Sequence, residues 1–227
     1  MRNVLRRAGW VMISLGVFTL YFLVYQLIGT NAITSRAQDQ LRKELTEQWS
    51  ATGRQPGART IKAEPAPRAG SAFAYMRIPR IDLEAAVVQG HERPGMSQED
   101  IDRFQRLDLK KGPAHIGTTK LPGAPGTFAV AGHRTTYGAP FNALDQLRRG
   151  DEIRISTALA TYTYKVTSTK IVVPTQVEVL RDVNGKDGKP KAQIVLSTCH
   201  PKYSARQRLI IFGELTSTTP NNGTVSA

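Results

Sequence analysis

Ala192-Gln-Ile-Val-Leu-Ser-Thr-Cys199-His-Pro201, then Lys-Tyr-Ser-Ala-Arg206-Gln-Arg208-Leu-Ile-Ile-Phe212, is an apolar run, a polar break and a second apolar run. Each run is short and rich in β-branched or aromatic residues, so the stretch predicts two strands joined by a turn. Pro201 has no amide proton to give a ladder and stops the first strand. Cys199 therefore stands at a strand end, and Arg208 opens the returning strand at the same edge of the sheet.

The same texture recurs upstream. Runs at 74–78, 83–88, 126–131, 152–157 and 161–173 lie between Gly, Pro and Asn/Asp turn signals. Together they predict seven or eight strands, closed as a barrel. Two helices interrupt them, at 97–107, where Ser97-Gln-Glu-Asp100 is a capping-box-like start, and at 140–147. Neither follows a βαβ rhythm, which excludes a doubly wound sheet. The predicted folded unit is one domain, 73–215, with a polar, disordered tail at 216–227.

The N-terminal part has a different composition. Arg2, Arg6 and Arg7 precede a stretch, 8–28, that carries no charge and is almost wholly apolar. That length approaches the roughly 30 Å of a bilayer's hydrocarbon core, so it is expected to span a membrane. The leading arginines place residues 1–7 in the cytoplasm and the remainder outside. A cleavable signal peptide is the competing reading, with Thr30-Asn31-Ala32 as its cleavage site. Beyond the span, 29–72 is expected to be a stalk helix and a linker. Leu41, Leu45 and Trp49 recur at i, i+4, i+8 within the helix, and Gly53, Pro56, Gly57, Pro65, Pro67 and Gly70 mark the linker.

The formal net charge is +13, from 31 Lys and Arg against 18 Asp and Glu. The basic residues are scattered, with no zinc-finger spacing and no RNA-binding aromatic signature, so a nucleic-acid partner is not expected. An anionic cell envelope accounts for such a surface. Cys199 is the only cysteine, which excludes an intramolecular disulfide and a cysteine-based metal cluster. A lone thiol in an exported chain is exposed to oxidation and is either tolerated or needed.

If Cys199 is a nucleophile, it needs a base and a cation nearby. Of the four histidines, His200 is adjacent to Cys199 and points to the opposite face of a strand. His91 and His115 lie in Gly/Pro-rich stretches and read as surface histidines. His133 is different, because Phe128-Ala-Val-Ala-Gly-His133 puts it where a buried strand emerges into a loop. Arg208 and Arg206 are both placed to meet a developing oxyanion. Spacing alone does not separate them.

Leu196-Ser-Thr-Cys199-His-Pro-Lys-Tyr-Ser-Ala-Arg-Gln-Arg208, with Ala131-Gly-His133-Arg134-Thr-Thr and Ile78-Pro-Arg-Ile81, closely resembles the sortase family. The resemblance is nearest to class E, the housekeeping type of high-GC Gram-positive bacteria. It implies an eight-stranded β-barrel with short helices, and a cysteine transpeptidase with Cys199 as nucleophile, His133 as histidine and Arg208 as arginine. It also implies cleavage of a C-terminal Leu-Pro/Ala-x-Thr-Gly sorting signal between Thr and Gly. The exported protein is then passed through a thioester to an amine of a lipid-linked cell-wall precursor. Thr198 and Tyr137 are the expected substrate contacts, with a plain surface tyrosine the alternative for Tyr137. No cofactor and no metal are expected. The family's Thr-Leu-x-Thr-Cys signature reads Val195-Leu-Ser-Thr-Cys199 here, a departure at its first position. Two rival readings are a non-catalytic, basic envelope-binding module with a buried Cys199, and a cysteine hydrolase of the envelope that uses water as acceptor.

Overall fold

The computed structural model describes residues 2–25, 30–52, 66–92, 95, 97, 99, 104–185 and 187–221. Two helices, α1 (Arg2–Val24) and α2 (Thr30–Thr52), precede eight strands. The strands are β1 (Ala72–Ile78), β2 (Leu83–Gln89), β3 (Ala114–His115), β4 (Gly126–Ala131), β5 (Glu152–Ser156), β6 (Ala160–Val172), β7 (Ala192–His200) and β8 (Gln207–Pro220). They close as a barrel in the order β1-β2-β3-β4-β7-β8-β6-β5. Closure removes the free edges that an open sheet would present. Pairing is parallel for β2 with β3 and for β4 with β7, and antiparallel elsewhere.

Alternation along the strands sorts the side chains. Phe128 and Val130 of β4, Ile194 and Leu196 of β7, and Leu209 and Ile211 of β8 enter the main core with Tyr164, Ile153 and Met76. Their neighbours Ala129, Val195 and Ile210 form a separate apolar cluster with Val172, on the other face of the same strands. The ladder between β6 and β8 slips twice, near Thr163 and near Val166. At each slip a threonine hydroxyl donates to a carbonyl across the ladder, Thr216 Oγ1 to Thr163 at 3.0 Å and Thr167 Oγ1 to Phe212 at 3.2 Å.

The stripe on α2 is docked against the barrel. Leu45 and Trp49 are 0% and 1% exposed and pack with Leu41 on Ala72, Tyr75, Ala86 and Val88. Gln38 extends the contact by acting as a short piece of strand. Its Nε2 donates to the carbonyls of Ala86 and Lys111, at 3.2 and 2.6 Å, and its Oε1 accepts from the Ala86 amide at 2.7 Å. One side chain thus satisfies both backbone groups of an outward-facing β2 residue.

Several expectations are corrected. Residues 216–220 are not a disordered tail but the end of β8, paired with β6 from Ala160 to Thr163. The polar sequence Thr-Ser-Thr-Thr gains a ladder that composition does not register. The helix expected at 140–147 is a series of i to i+3 turns ending in a 3₁₀ turn, Leu144–Gln146. Phe141, Leu144 and Leu147 are three residues apart and all buried, the spacing that a three-residue turn places on one side. Of the helix expected at 97–107, residues 98 and 100–103 lie outside the described residues. Phe104–Asp108 forms one π-helical turn. The linker positions 53–65 also lie outside them.

His115 is not a surface residue. It sits in β3, 1% exposed, with Nε2 3.0 Å from the Lys120 carbonyl and Nδ1 2.8 Å from Gln89. Its ring lies between those of Phe73 and Phe128. Burial lowers its pKa to about 4, so it is a neutral core histidine. His91 is tied down as well, with Nδ1 2.9 Å from Asp108, whose carboxylate is fully buried.

Residues 26–28 of the expected span lie outside the described residues, and among the described ones no helix is long and apolar enough to cross a membrane. The large apolar side chains described on α1, from Trp10 through Phe18 to Phe22, are exposed.

Candidate active site

Three strand ends meet at one rim of the barrel. Cys199 on β7 and Arg208 on β8 are direct cross-strand partners. Such partners carry their Cβ atoms about 5 Å apart on the same face. On the other side of β7 the parallel register pairs Ala131 with Ser197, and the Gly132 amide continues it by donating to the Ser197 carbonyl at 3.1 Å. The register carried one residue beyond Gly132 sets His133 beside Cys199. All three residues share the parity of Ala129, Val195 and Ile210, so the trio extends the outer apolar cluster to the rim.

Arg208 is half-buried, and its Nη1 is held by the carbonyls of Ala205 and Gln207, at 2.9 and 3.1 Å. Among the described residues, its Nε and Nη2 carry no hydrogen bond. Arg206 is exposed in the turn, with no strand partner. The register therefore separates two arginines that spacing left equal.

His133 follows a glycine for a steric reason. A Cβ on Gly132 would come within 2.7 Å of the Phe141 ring. The His133 carbonyl accepts from the Phe141 amide at 3.1 Å, and the imidazole lies against the Tyr137 ring, centroids 5.0 Å apart. Its Nε2 is buried and, among the described residues, without a hydrogen-bond partner. Burial first, and then the Lys110 ammonium, hold its pKa below the ordinary histidine value. The imidazole offers an uncommitted nitrogen.

Thr198, expected as a substrate contact, has its side chain turned into the barrel. It has the parity of Ile194 and Leu196, is 3% exposed, and donates its hydroxyl to the Gly132 carbonyl at 2.8 Å. Its place is to tie β7 to the strand that delivers His133. His200 pairs with Gln207 one step along from Cys199, away from the trio's face.

Arg134 is a residue that the motif reading passed over. Its side chain is 3% exposed, and it donates from Nη1 to the Cys199 carbonyl at 3.3 Å and from Nε to the Asn142 carbonyl at 3.2 Å. Its Nη2 meets Asp145 at 3.1 Å. One guanidinium thus joins β7 to the loop after His133. Alternation was the available signal, because 130, 132 and 134 share the inward parity. Among the described residues no cluster of three or more metal-ligating side chains occurs.

A sortase domain family model matches residues 76–216. Sortase SrtE1 of Streptomyces coelicolor is 30% identical over 222 residues, covering 96% of this chain, and the chain spans 58% of that relative's length. The solved structure of sortase E from Streptomyces avermitilis is 36% identical, with a TM-score of 0.54, covering 68% of this chain and 93% of that one. The crystal structure of Streptomyces coelicolor sortase E1 with a tripeptide in its active site is 29% identical, with a TM-score of 0.55, covering 68% and 94%.

Proposed function

The chain belongs to the sortase family, and from that premise we propose that it is a cysteine transpeptidase whose working residues are Cys199, His133 and Arg208. The observation that carries this reading is the register, which pairs Cys199 with Arg208 and, carried two residues past the end of β4, brings His133 alongside.

The chemistry follows from the groups. A proton passes from Cys199 Sγ to the free Nε2 of His133, and the thiolate adds to the carbonyl carbon of a substrate Thr-Gly bond. Negative charge collects on the carbonyl oxygen, where the uncommitted nitrogens of Arg208 are placed to meet it. Collapse breaks the C–N bond, and the glycine nitrogen leaves with the proton that His133 held. A thioester on Cys199 remains. An acceptor amine attacks it, His133 takes the amine's proton, and the thiolate departs.

The substrate in this reading is an exported protein with a Leu-Pro/Ala-x-Thr-Gly signal, and the acceptor is an amine of a lipid-linked wall precursor. Tyr137, half-buried against His133, stands beside the trio and is a substrate contact in this reading. The reading also has α1 as a membrane anchor with the arginines inside, supported by its exposed apolar side chains.

The test is turnover of a sorting-signal peptide by the full chain, with and without an added amine, and products weighed by mass spectrometry. Amine-joined product that disappears in Cys199→Ala is expected. Product that survives Cys199→Ala overturns the reading, and hydrolysis alone in excess amine turns it to a hydrolase.

A further inference from the structure

We propose that the first two turns of α2 belong to the active site, where Asn31 and Thr34 brace the loop that follows His133 through Lys110, Tyr137 and Gly138. Its catalytic consequence rests on the transpeptidase reading above.

The loop needs an external brace. Tyr137, Gly138 and Ala139 are three consecutive residues in the left-handed region, with φ of 51°, 74° and 43°. For residues with a Cβ this region costs on the order of 1 kcal/mol or more each, so surrounding structure must impose it. Within the loop, the Ala139 amide donates to the Thr136 carbonyl at 2.9 Å. The Asn142 amide donates to the Ala139 carbonyl at 2.9 Å, and Asn142 Nδ2 to the Arg134 carbonyl at 3.0 Å. At Gly138, the middle of the three, the contacts come from α2. The Gly138 amide donates to Asn31 Oδ1 at 3.0 Å, and a Cβ on Gly138 would come within 3.2 Å of Thr34.

Thr34 reaches the site by a second route. It is buried, and its hydroxyl donates to the Lys110 carbonyl at 2.9 Å, while Gln38 one turn later holds the Lys111 carbonyl. With its backbone so fixed, Lys110 carries its Nζ to 5.6 Å from the centre of the Tyr137 ring. A cation at that distance from an aromatic face is attracted to it. Tyr137 in turn covers His133. The path from α2 to the imidazole is thus a run of direct contacts, and α2 lies outside residues 76–216 that match the family.

The titratable and charged groups on the imidazole's side are Tyr137 of its own loop, Lys110 of the segment before β3, Cys199 of β7 and Arg208 of β8. Arg134 and His200 have the opposite parity and lie on the other face. The first charged residues of α2, Arg36 and Asp39, are exposed. The brace therefore acts on His133 by position, keeping water off the ring and Lys110 near it.

The test uses the full chain in detergent micelles, with selectively labelled histidine and the His133 signal assigned by its loss in His133→Gln. Asn31→Ala with Thr34→Val, and separately Lys110→Met, are compared with the conservative Thr34→Ser and Lys110→Arg. The double variant is expected to raise the His133 pKa as water enters and Lys110 departs. It should also lower kcat about tenfold with KM within about twofold. Lys110→Met, which removes only the ammonium of an exposed side chain, is expected to move the titration in the same direction, and both conservative variants to keep wild-type behaviour. An unchanged His133 titration in the double variant and in Lys110→Met overturns the brace. Turnover that survives Cys199→Ala overturns the transpeptidase reading instead, and the titration decides on the brace in either case.

Discussion

Cys199 and Arg208 face each other across the antiparallel β7–β8 ladder, and the carbonyls of Ala205 and Gln207 hold the arginine from behind. The guanidinium is positioned before any substrate arrives. A preset donor loses nothing to reorganisation when charge develops on an oxygen in front of it.

Arg208→Ala should therefore lower kcat/KM about 10²- to 10³-fold, mostly in kcat. Arg208→Lys should not restore it, because an ammonium cannot bond the two carbonyls and still present a second donor in plane. Arg206→Ala, in the exposed turn, should stay within about twofold. Steady-state peptide kinetics check all three.

Arg134 is expected to matter for stability as well as rate. Arg134→Met leaves the part-buried Cys199 and Asn142 carbonyls without this donor, at a cost of about 1 to 3 kcal/mol. Asp145→Asn, at the exposed end of the ion pair, should cost less than about 1 kcal/mol. Urea denaturation of the two variants separates these effects, and equal losses would contradict the central place given to the guanidinium.

Docking of α2 can be tested at its core. Trp49→Ala should destabilise the protein by about 3 to 5 kcal/mol, as expected for emptying a fully buried aromatic site. Gln38→Leu keeps the volume but leaves the Ala86 amide and the Ala86 and Lys111 carbonyls unpaired, and should cost about 1 to 3 kcal/mol. Calorimetry of the full chain checks both.

Two buried groups shape the dependence of stability on pH, in opposite senses. His115 has a folded pKa of about 4 against 6.5 when unfolded. Between these values the unfolded chain binds a proton that the folded one refuses, so stability falls with falling pH, by about 3 kcal/mol in all. Glu92, 6% exposed, is raised to about 7 from 4.5, chiefly by burial. In that window the folded chain keeps a proton that the unfolded one releases, so stability falls as pH rises. Glu92→Gln should be more stable than the parent at pH 8 and nearly equal to it at pH 4, while His115→Gln should lose the acid limb. Denaturation midpoints across pH 4 to 8 decide.

Most of the barrel could be read along the chain because strand periodicity is local. The runs at 126–131 and 192–198 needed only their own apolar alternation and the turns that bound them. The two-residue β3 could not be read, since Ala114–His115 is a strand only by virtue of β2 and β4 on either side. His115 was misread for the same reason, because its Gly/Pro-rich surroundings resemble a surface loop until the barrel closes over them. The end of β8 looked disordered for want of apolar residues, and its partner in β6 lies about fifty residues away in the chain.

By itself the sequence determined that this protein has one thiol, a histidine at a strand end, an arginine leading a return strand and a stripe of Leu41, Leu45 and Trp49 on a helix. These are properties of composition and period, which need no partner. Only the tertiary structure decided that Arg208 and not Arg206 faces Cys199, that Thr198 points inward, that Arg134 joins β7 to the loop after His133, and that α2 reaches that loop. Each of those depends on register or on a contact between segments distant in the chain, and a one-residue shift in register would reverse the face of every side chain concerned.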